Sequence, residues 1–156
     1  MGDKEQPSYR KGCIFCEIVK GATPAYVVYE TETHLAFLDI CPSMPGQSVV
    51  LPKAHFSSDV LGMPENDYKE LVLAARAAGE KIKRGMGAER VFMVAEGMEV
   101  EHAHLKLYPV CEVVKKTTDE ETPYTAAYEG YLTTLHGPRI GEAELDELAK
   151  KINKAL

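Results

Sequence analysis

Two imidazoles and an ammonium recur at every second residue in Glu101–His102–Ala103–His104–Leu105–Lys106–Leu107–Tyr108–Pro109. In an extended strand this period puts His102, His104, Lys106 and Tyr108 on one face and Ala103, Leu105 and Leu107 on the other. Side chains on the same face then stand roughly 6.5–7 Å apart. Such a row can grip an anion with its cation and attack it with an imidazole. It can equally be the solvated polar face of an edge strand. A second chemistry-bearing pair, Cys13 and Cys16, stands near the start. C-x-x-C reads as half of a metal site or as a redox pair. A thioredoxin-type pair wants a strand just before it and a helix just after, whereas here a polar segment, residues 1–11, comes first. A zinc site needs two further ligands from elsewhere in the chain.

The elements that must position these groups can be read in outline. Tyr26–Glu30 and His34–Ile40 are β-prone runs joined at Thr31–Glu32–Thr33, which reads as a hairpin. Cys41–Pro42–Ser43–Met44–Pro45–Gly46 is a rigid loop, and Gln47–Leu51 is a third strand stopping at Pro52. Glu65–Arg84 is one long helix with Tyr68, Leu71, Val72, Ala75, Ala78 and Ile82 at helical spacing. Acidic residues stand near its start and basic ones near its end, and Gly85 and Gly87 are expected to terminate it. Val91–Ala95 and Glu101–Pro109 are the fourth and fifth strands. Beyond Cys111, Lys115–Pro123 reads as a charged loop, Tyr128–Leu135 as a further strand and Glu142–Ala155 as a helix with Leu145, Leu148 and Ile152 on one stripe. The pattern predicts an α+β fold: an antiparallel meander sheet of about five strands with one long inserted helix, plus a C-terminal extension ending in a helix.

Bulk properties narrow the function. At 156 residues the chain has the length of one domain. There is no apolar run of membrane length and no secretory signal in the polar start, so the expected compartment is the cytoplasm. The net charge of −6, from 18 basic against 24 acidic residues, comes without the basic stripe of a duplex-binding surface. Nucleic acid and membrane are therefore not expected partners, and a phosphorylated ligand needs a local site. Cys41 and Cys111 read as small buried residues.

Taken in order, Cys13-x-x-Cys16, Phe37–Leu38–Asp39–Ile40, Pro42 to Gly46, Val50–Leu51–Pro52–Lys53–Ala54–His55 and His102-x-His104 resemble the histidine triad hydrolase family. Its N-terminal half runs C-x-x-C, a Phe-Leu-Asp strand, Pro-Gly, then Pro-Lys-x-His. The resemblance covers about residues 12–110, leaving 1–11 as a polar tail and 111–156 as an extension packed on or near the domain. It implies a structural zinc held by Cys13, Cys16, His55 and His102, a donor set that independently suits tetrahedral Zn²⁺. It implies His104 as nucleophile, forming a covalent nucleotidyl-histidine, Asp39 as the ligand of the ribose hydroxyls, and Phe37 and Ile18 as apolar walls of a base pocket. Family members are commonly homodimers.

Two departures stand out. The third histidine of the usual H-x-H-x-H is Lys106 here, a fixed cation that donates a proton poorly unless burial lowers its pKa. The galactose-1-phosphate uridylyltransferase branch has glutamine at this position and still transfers nucleotides through histidine. Upstream, Ala95–Glu96–Gly97–Met98–Glu99–Val100 lacks the amide and hydroxyl groups that help hold phosphates in many members. Glu99 is expected to repel a phosphate unless it pairs with Lys106 or points away. The resemblance thus implies a nucleotide hydrolase or nucleotidyltransferase acting on a nucleoside phosphoramidate, dinucleoside polyphosphate or similar donor, with His104 and Lys106 as its catalytic pair. The alternative is a zinc-stabilised nucleotide-binding or interaction module with little turnover.

Overall fold

The computed structural model describes residues 8–111 and 136–155. Strands β1 (Val27–Glu30) and β2 (His34–Leu38) form the expected hairpin, its turn closed by Thr31, whose Oγ1 accepts the His34 N–H at 3.0 Å. β3 (Ser48–Pro52) pairs with β2, from His34 opposite Pro52 to Leu38 opposite Ser48. The long helix α2 (Glu65–Met86) then carries the chain away to β4 (Arg90–Val94) at the far edge, and β5 (Leu105–Val110) returns between β3 and β4. The sheet is antiparallel throughout, in the order β1-β2-β3-β5-β4. The meander therefore holds for the first three strands. The α2 crossover leaves a gap beside β3 that the last strand fills.

One sheet face is covered by α2, whose Leu71, Ala75, Ala78 and Ile82 bury against Ala36, Val50, Leu105 and Leu107. Glu65 and Asp67 sit in the first turn of α2 and Lys83 and Arg84 in its last, as the helix dipole favours. Gly87 ends it in the left-handed region at φ 66°, where the Ala88 N–H reaches the Lys83 carbonyl at 3.0 Å. Gly85 is not a terminator: it lies inside the helix and is buried. Its role is close approach, since a side-chain carbon there would run into the Cα of Ile152. Ile152 belongs to α3 (Glu142–Lys154), which lays Leu145, Ala149 and Ile152 into the same core. Gly85→Ala is accordingly expected to destabilise the protein by about 1–3 kcal/mol through overpacking. A denaturant midpoint equal to that of the parent protein would refute this.

The second sheet face is covered by the short helix α1 (Ile14–Val19), where Cys13, Phe15 and Cys16 pack with Leu35, Phe37, Val49 and Leu51. This overturns the solvated-face reading of the histidine row. His102, His104, Lys106 and Tyr108 are 0%, 2%, 4% and 4% exposed. The fifth strand also starts later than expected, at Leu105 rather than Glu101. β4 ends opposite Lys106, so the preceding residues have no ladder partner on that side. Instead the His102 N–H turns back to the Val100 carbonyl at 2.8 Å and the Ala103 N–H reaches the Phe56 carbonyl at 3.0 Å. Similarly, β2 stops at Leu38 rather than Ile40: the Asp39 N–H still reaches the Gln47 carbonyl at 2.9 Å, but its Oδ1 accepts the Cys41 N–H and turns the chain into the following loop. Cys41 is only half-buried and Cys111, past the end of β5, is exposed, so neither is the buried residue expected. The expected loop at 115–123 and strand at 128–135 lie outside the described residues. No helix among the described residues is long and apolar enough to cross a membrane.

Candidate active site and metal centre

The end of β3, the start of α1 and the turn before β5 bring Cys13, Cys16, His55 and His102 together, with one ligand atom of each within 4.8 Å of all the others. His102 Nε2 donates to the Pro52 carbonyl at 2.8 Å, which leaves Nδ1 bare and turned into the cluster. Cys13 Sγ lies 3.5 Å and Cys16 Sγ 3.6 Å from His102 Nδ1, and Cys16 Sγ lies 3.4 Å from His55 Nδ1. The two Nδ1 atoms are 3.3 Å apart. A tetrahedron with Zn–S of about 2.3 Å and Zn–N of about 2.05 Å has S–N edges of about 3.55 Å and an N–N edge of about 3.35 Å. The four residues therefore fit Zn²⁺. Burial pushes His102 down to about 4, keeping the ring neutral as a ligand must be. The backbone around the cluster is pinned as well. The Arg10 N–H points at Cys16 Sγ from 3.4 Å, and Ser8 and His55 exchange hydrogen bonds at 2.8 Å through the Ser8 hydroxyl and the His55 N–H. Ser8 and Arg10, read as part of the tail, thus brace two of the ligands.

His104 lies beside this cluster. Its Nδ1 stands 2.6 Å from the His102 carbonyl, an acceptor only, so Nδ1 carries the proton and Nε2 keeps its lone pair. Phe15 packs edge-on to the ring at 5.2 Å between centroids. Burial pushes the imidazole below its ordinary value, the carbonyl bond opposes this, and the Lys106 charge reinforces it. The neutral form is the nucleophilic one.

A pocket of about 280 Å³ opens in front of His104 and Lys106. Ile18, Phe37 and Asp39 all line it, so the structure brings together every residue expected to hold the substrate. Asp39 is fixed by two internal contacts: Oδ1 accepts the Cys41 N–H and Oδ2 accepts Gln47 Nε2, each at 2.8 Å. Lys106 Nζ is paired with Glu96 at 3.0 Å and stands 4.0 Å from Glu99. Burial works against its charge, but the Glu96 hydrogen bond and charge outweigh this and raise its pKa. Lys106 is thus held as a cation, contrary to the lowering that proton donation would need. Of the two alternatives for Glu99, the structure takes the first: it lines the pocket rather than pointing away, standing 4.0 Å from Lys106 while both its carboxylate oxygens accept from His136 Nε2 at 2.6 Å.

Two pocket residues, Phe15 and His136, and the Lys106 partner Glu96 escaped the sequence reading. Phe15 lies within the Cys pair and one helical turn before Ile18, a spacing that could have exposed it. Glu96 was seen only as part of a shortened loop, and His136 sits 37 residues from its partner with no local signal.

An antiparallel sheet that buries a His-x-His pair between an apolar pocket and a Cys₂His₂ cluster defines a small α+β protein built around buried histidines. The chain belongs to the HIT domain family, whose sequence pattern matches residues 20–111. It is 31% identical over 145 residues to an uncharacterized HIT-like protein, MJ0866, of Methanocaldococcus jannaschii, covering 90% of this chain and 98% of that protein. It is 28% identical over 102 residues to the adenosine 5'-monophosphoramidase HNT1 of Saccharomyces cerevisiae, covering 62% and 61% of the two chains. Among solved structures, a Zn-bound histidine triad family protein from Mycobacterium smegmatis superposes with a TM-score of 0.61 at 25% identity, covering 92% of each chain.

Proposed function

We propose that this protein hydrolyses or transfers nucleotidyl groups through a covalent nucleotidyl-histidine on His104. The observation that carries this is the 2.6 Å contact of His104 Nδ1 with the His102 carbonyl, which orients the ring and leaves Nε2 basic in a pocket wall. Phe37 and Ile18 take the base, Asp39 accepts from the ribose hydroxyls, and Lys106, at the position of the family's third histidine, holds the phosphate. Nε2 bonds to the α-phosphorus as the leaving group departs, and water later releases the nucleotide. The yeast relative's named activity makes an adenosine phosphoramidate the first donor to try. Intact-mass spectrometry after incubation with such a donor is expected to show protein heavier by one nucleotidyl group, mapped to His104. Neither adduct nor turnover across a panel of donors would leave the second reading, a nucleotide-binding module without turnover, which the Lys106–Glu96 pairing favours.

The zinc is structural in this reading, because four protein ligands leave no open position for substrate. Cys41 and Cys111, outside the metal cluster, are free thiols, which suits a reducing compartment such as the cytoplasm. Homodimerisation is supported by the exposed edge strand β4, where Phe92 and Met93 are each 50% exposed, and by Leu73 on α2 at 62%. Sedimentation equilibrium is expected to return twice the chain mass, and a monomer at micromolar concentration would exclude it.

A further inference from the structure

We propose that His136, from the chain beyond β5, protonates the leaving group in this pocket and is positioned for that task by Glu99. The inference rests on the nucleotidyl-histidine reading and adds the class of donor: one whose leaving atom needs a proton, such as an amine. His136 lines the same pocket as His104 and Lys106. Glu99 Oε2 lies 4.0 Å from Lys106 Nζ and 2.6 Å from His136 Nε2, so one carboxylate bridges the phosphate-holding cation and the imidazole. With Nε2–H donated to Glu99, Nδ1 is the nitrogen left for substrate, the same division of labour that orients a carboxylate-bound histidine in acyl transfer.

The placement of His136 is built into the fold. The Ile140 N–H donates to the Ile40 carbonyl at 3.1 Å, running this segment beside the loop that follows Asp39. Gly137 packs so closely there that a side-chain carbon would overlap the Pro42 carbonyl oxygen. Among the described residues that line the pocket, no other group is suited to the task. His104 Nδ1 is committed to a carbonyl, and Lys106 is neutralised by Glu96 while remaining charged. Of the other three histidines, His55 and His102 face the metal cluster, and His34 lies buried in β2 without lining the pocket. The His136 side chain is 39% exposed, so its ring can regain a proton from water.

In the first step the His104 Nε2 lone pair forms the bond to the α-phosphorus. The bond from phosphorus to the leaving atom breaks, its electron pair stays with that atom, and the atom takes the His136 proton. In the second step the neutral His136 imidazole removes a proton from water as the water oxygen bonds to phosphorus. The phosphorus–His104 bond then breaks and its pair returns to Nε2.

The test compares two donors of the same nucleotide, an alkylamine phosphoramidate and a p-nitrophenyl ester whose leaving group needs no proton. Rates of His104 nucleotidylation are read by rapid quench and intact mass. His136→Gln is expected to slow the amine donor by about 100-fold and the nitrophenyl donor by no more than about threefold. Gly137→Val, which lifts the segment off Pro42, is expected to show the same selectivity. Equal slowing of both donors, no slowing of either, or a Gly137→Val protein at full rate with the amine donor overturns the role of His136. Wild-type protein that forms no His104 adduct with either donor instead overturns the nucleotidyl-histidine reading, and this inference with it.

Discussion

Alanine at position 104 is expected to lower kcat/KM for an adenylated donor by at least about four orders of magnitude, as removal of a covalent nucleophile does in other enzymes. Among the described residues, the two neighbours on its own strand face cannot take its place. His102 is committed through Nε2 to Pro52 and through Nδ1 to the metal cluster, and Lys106 is protonated and has no lone pair to offer. The structural cost is smaller. His104 is buried against Phe15, so truncation opens a cavity and is expected to cost about 2 kcal/mol. Steady-state turnover and the adduct mass should vanish together while the far-ultraviolet spectrum is kept. Turnover within tenfold of wild type would remove His104 from the chemistry.

Zinc removal is expected to have the second large effect, on stability first. Protein purified without added metal should carry about one zinc per chain, because a closed Cys₂His₂ site binds tightly. The ligands come from the start of α1, the loop after β3 and the turn before β5, so the ion ties three segments together. Its loss is expected to cost on the order of 5 kcal/mol, below the full value for peptides that fold only on metal, because the sheet exists without it. That corresponds to a fall in melting temperature of roughly 10–20 °C. Cys16→Ser should reproduce the fall, and turnover should drop with it, since α1 carries Phe15 against the His104 ring. Elemental analysis far below one zinc per chain, or an unchanged melting curve after chelation, would count decisively against the site.

The sequence made the secondary elements and the order of the motifs legible because those signals are local. Helical spacing from Tyr68 to Ile82 and the β-prone runs around Thr31–Thr33 each lie within a few residues of the structure they specify. What failed was set by distant partners that no motif marks. Gly85 reads as a stop signal from its neighbours alone, whereas the packing of Ile152 against it requires a glycine within the helix. The alternation at His102–Tyr108 correctly separates two faces but says nothing of a second cover, and α1 supplies one. The ligand set could be assembled only from the order of the motifs, because His55 is 39 residues from Cys16 and His102 a further 47 beyond it. His136 had no such guide, as no recognisable motif surrounds it.

The contact between the end of α3 and the first strand has a consequence for how this molecule is made. Asn153 Nδ2 donates to the Val27 carbonyl at 3.0 Å across 126 residues, and α3 packs its apolar stripe beside β1 in the main core. Contacts of such long sequence separation form late, after the loop between them has closed. On the ribosome, the apolar surface of β1 and α2 stays uncovered until residues 142–154 have emerged. During that interval the uncovered apolar surface is open to aggregation.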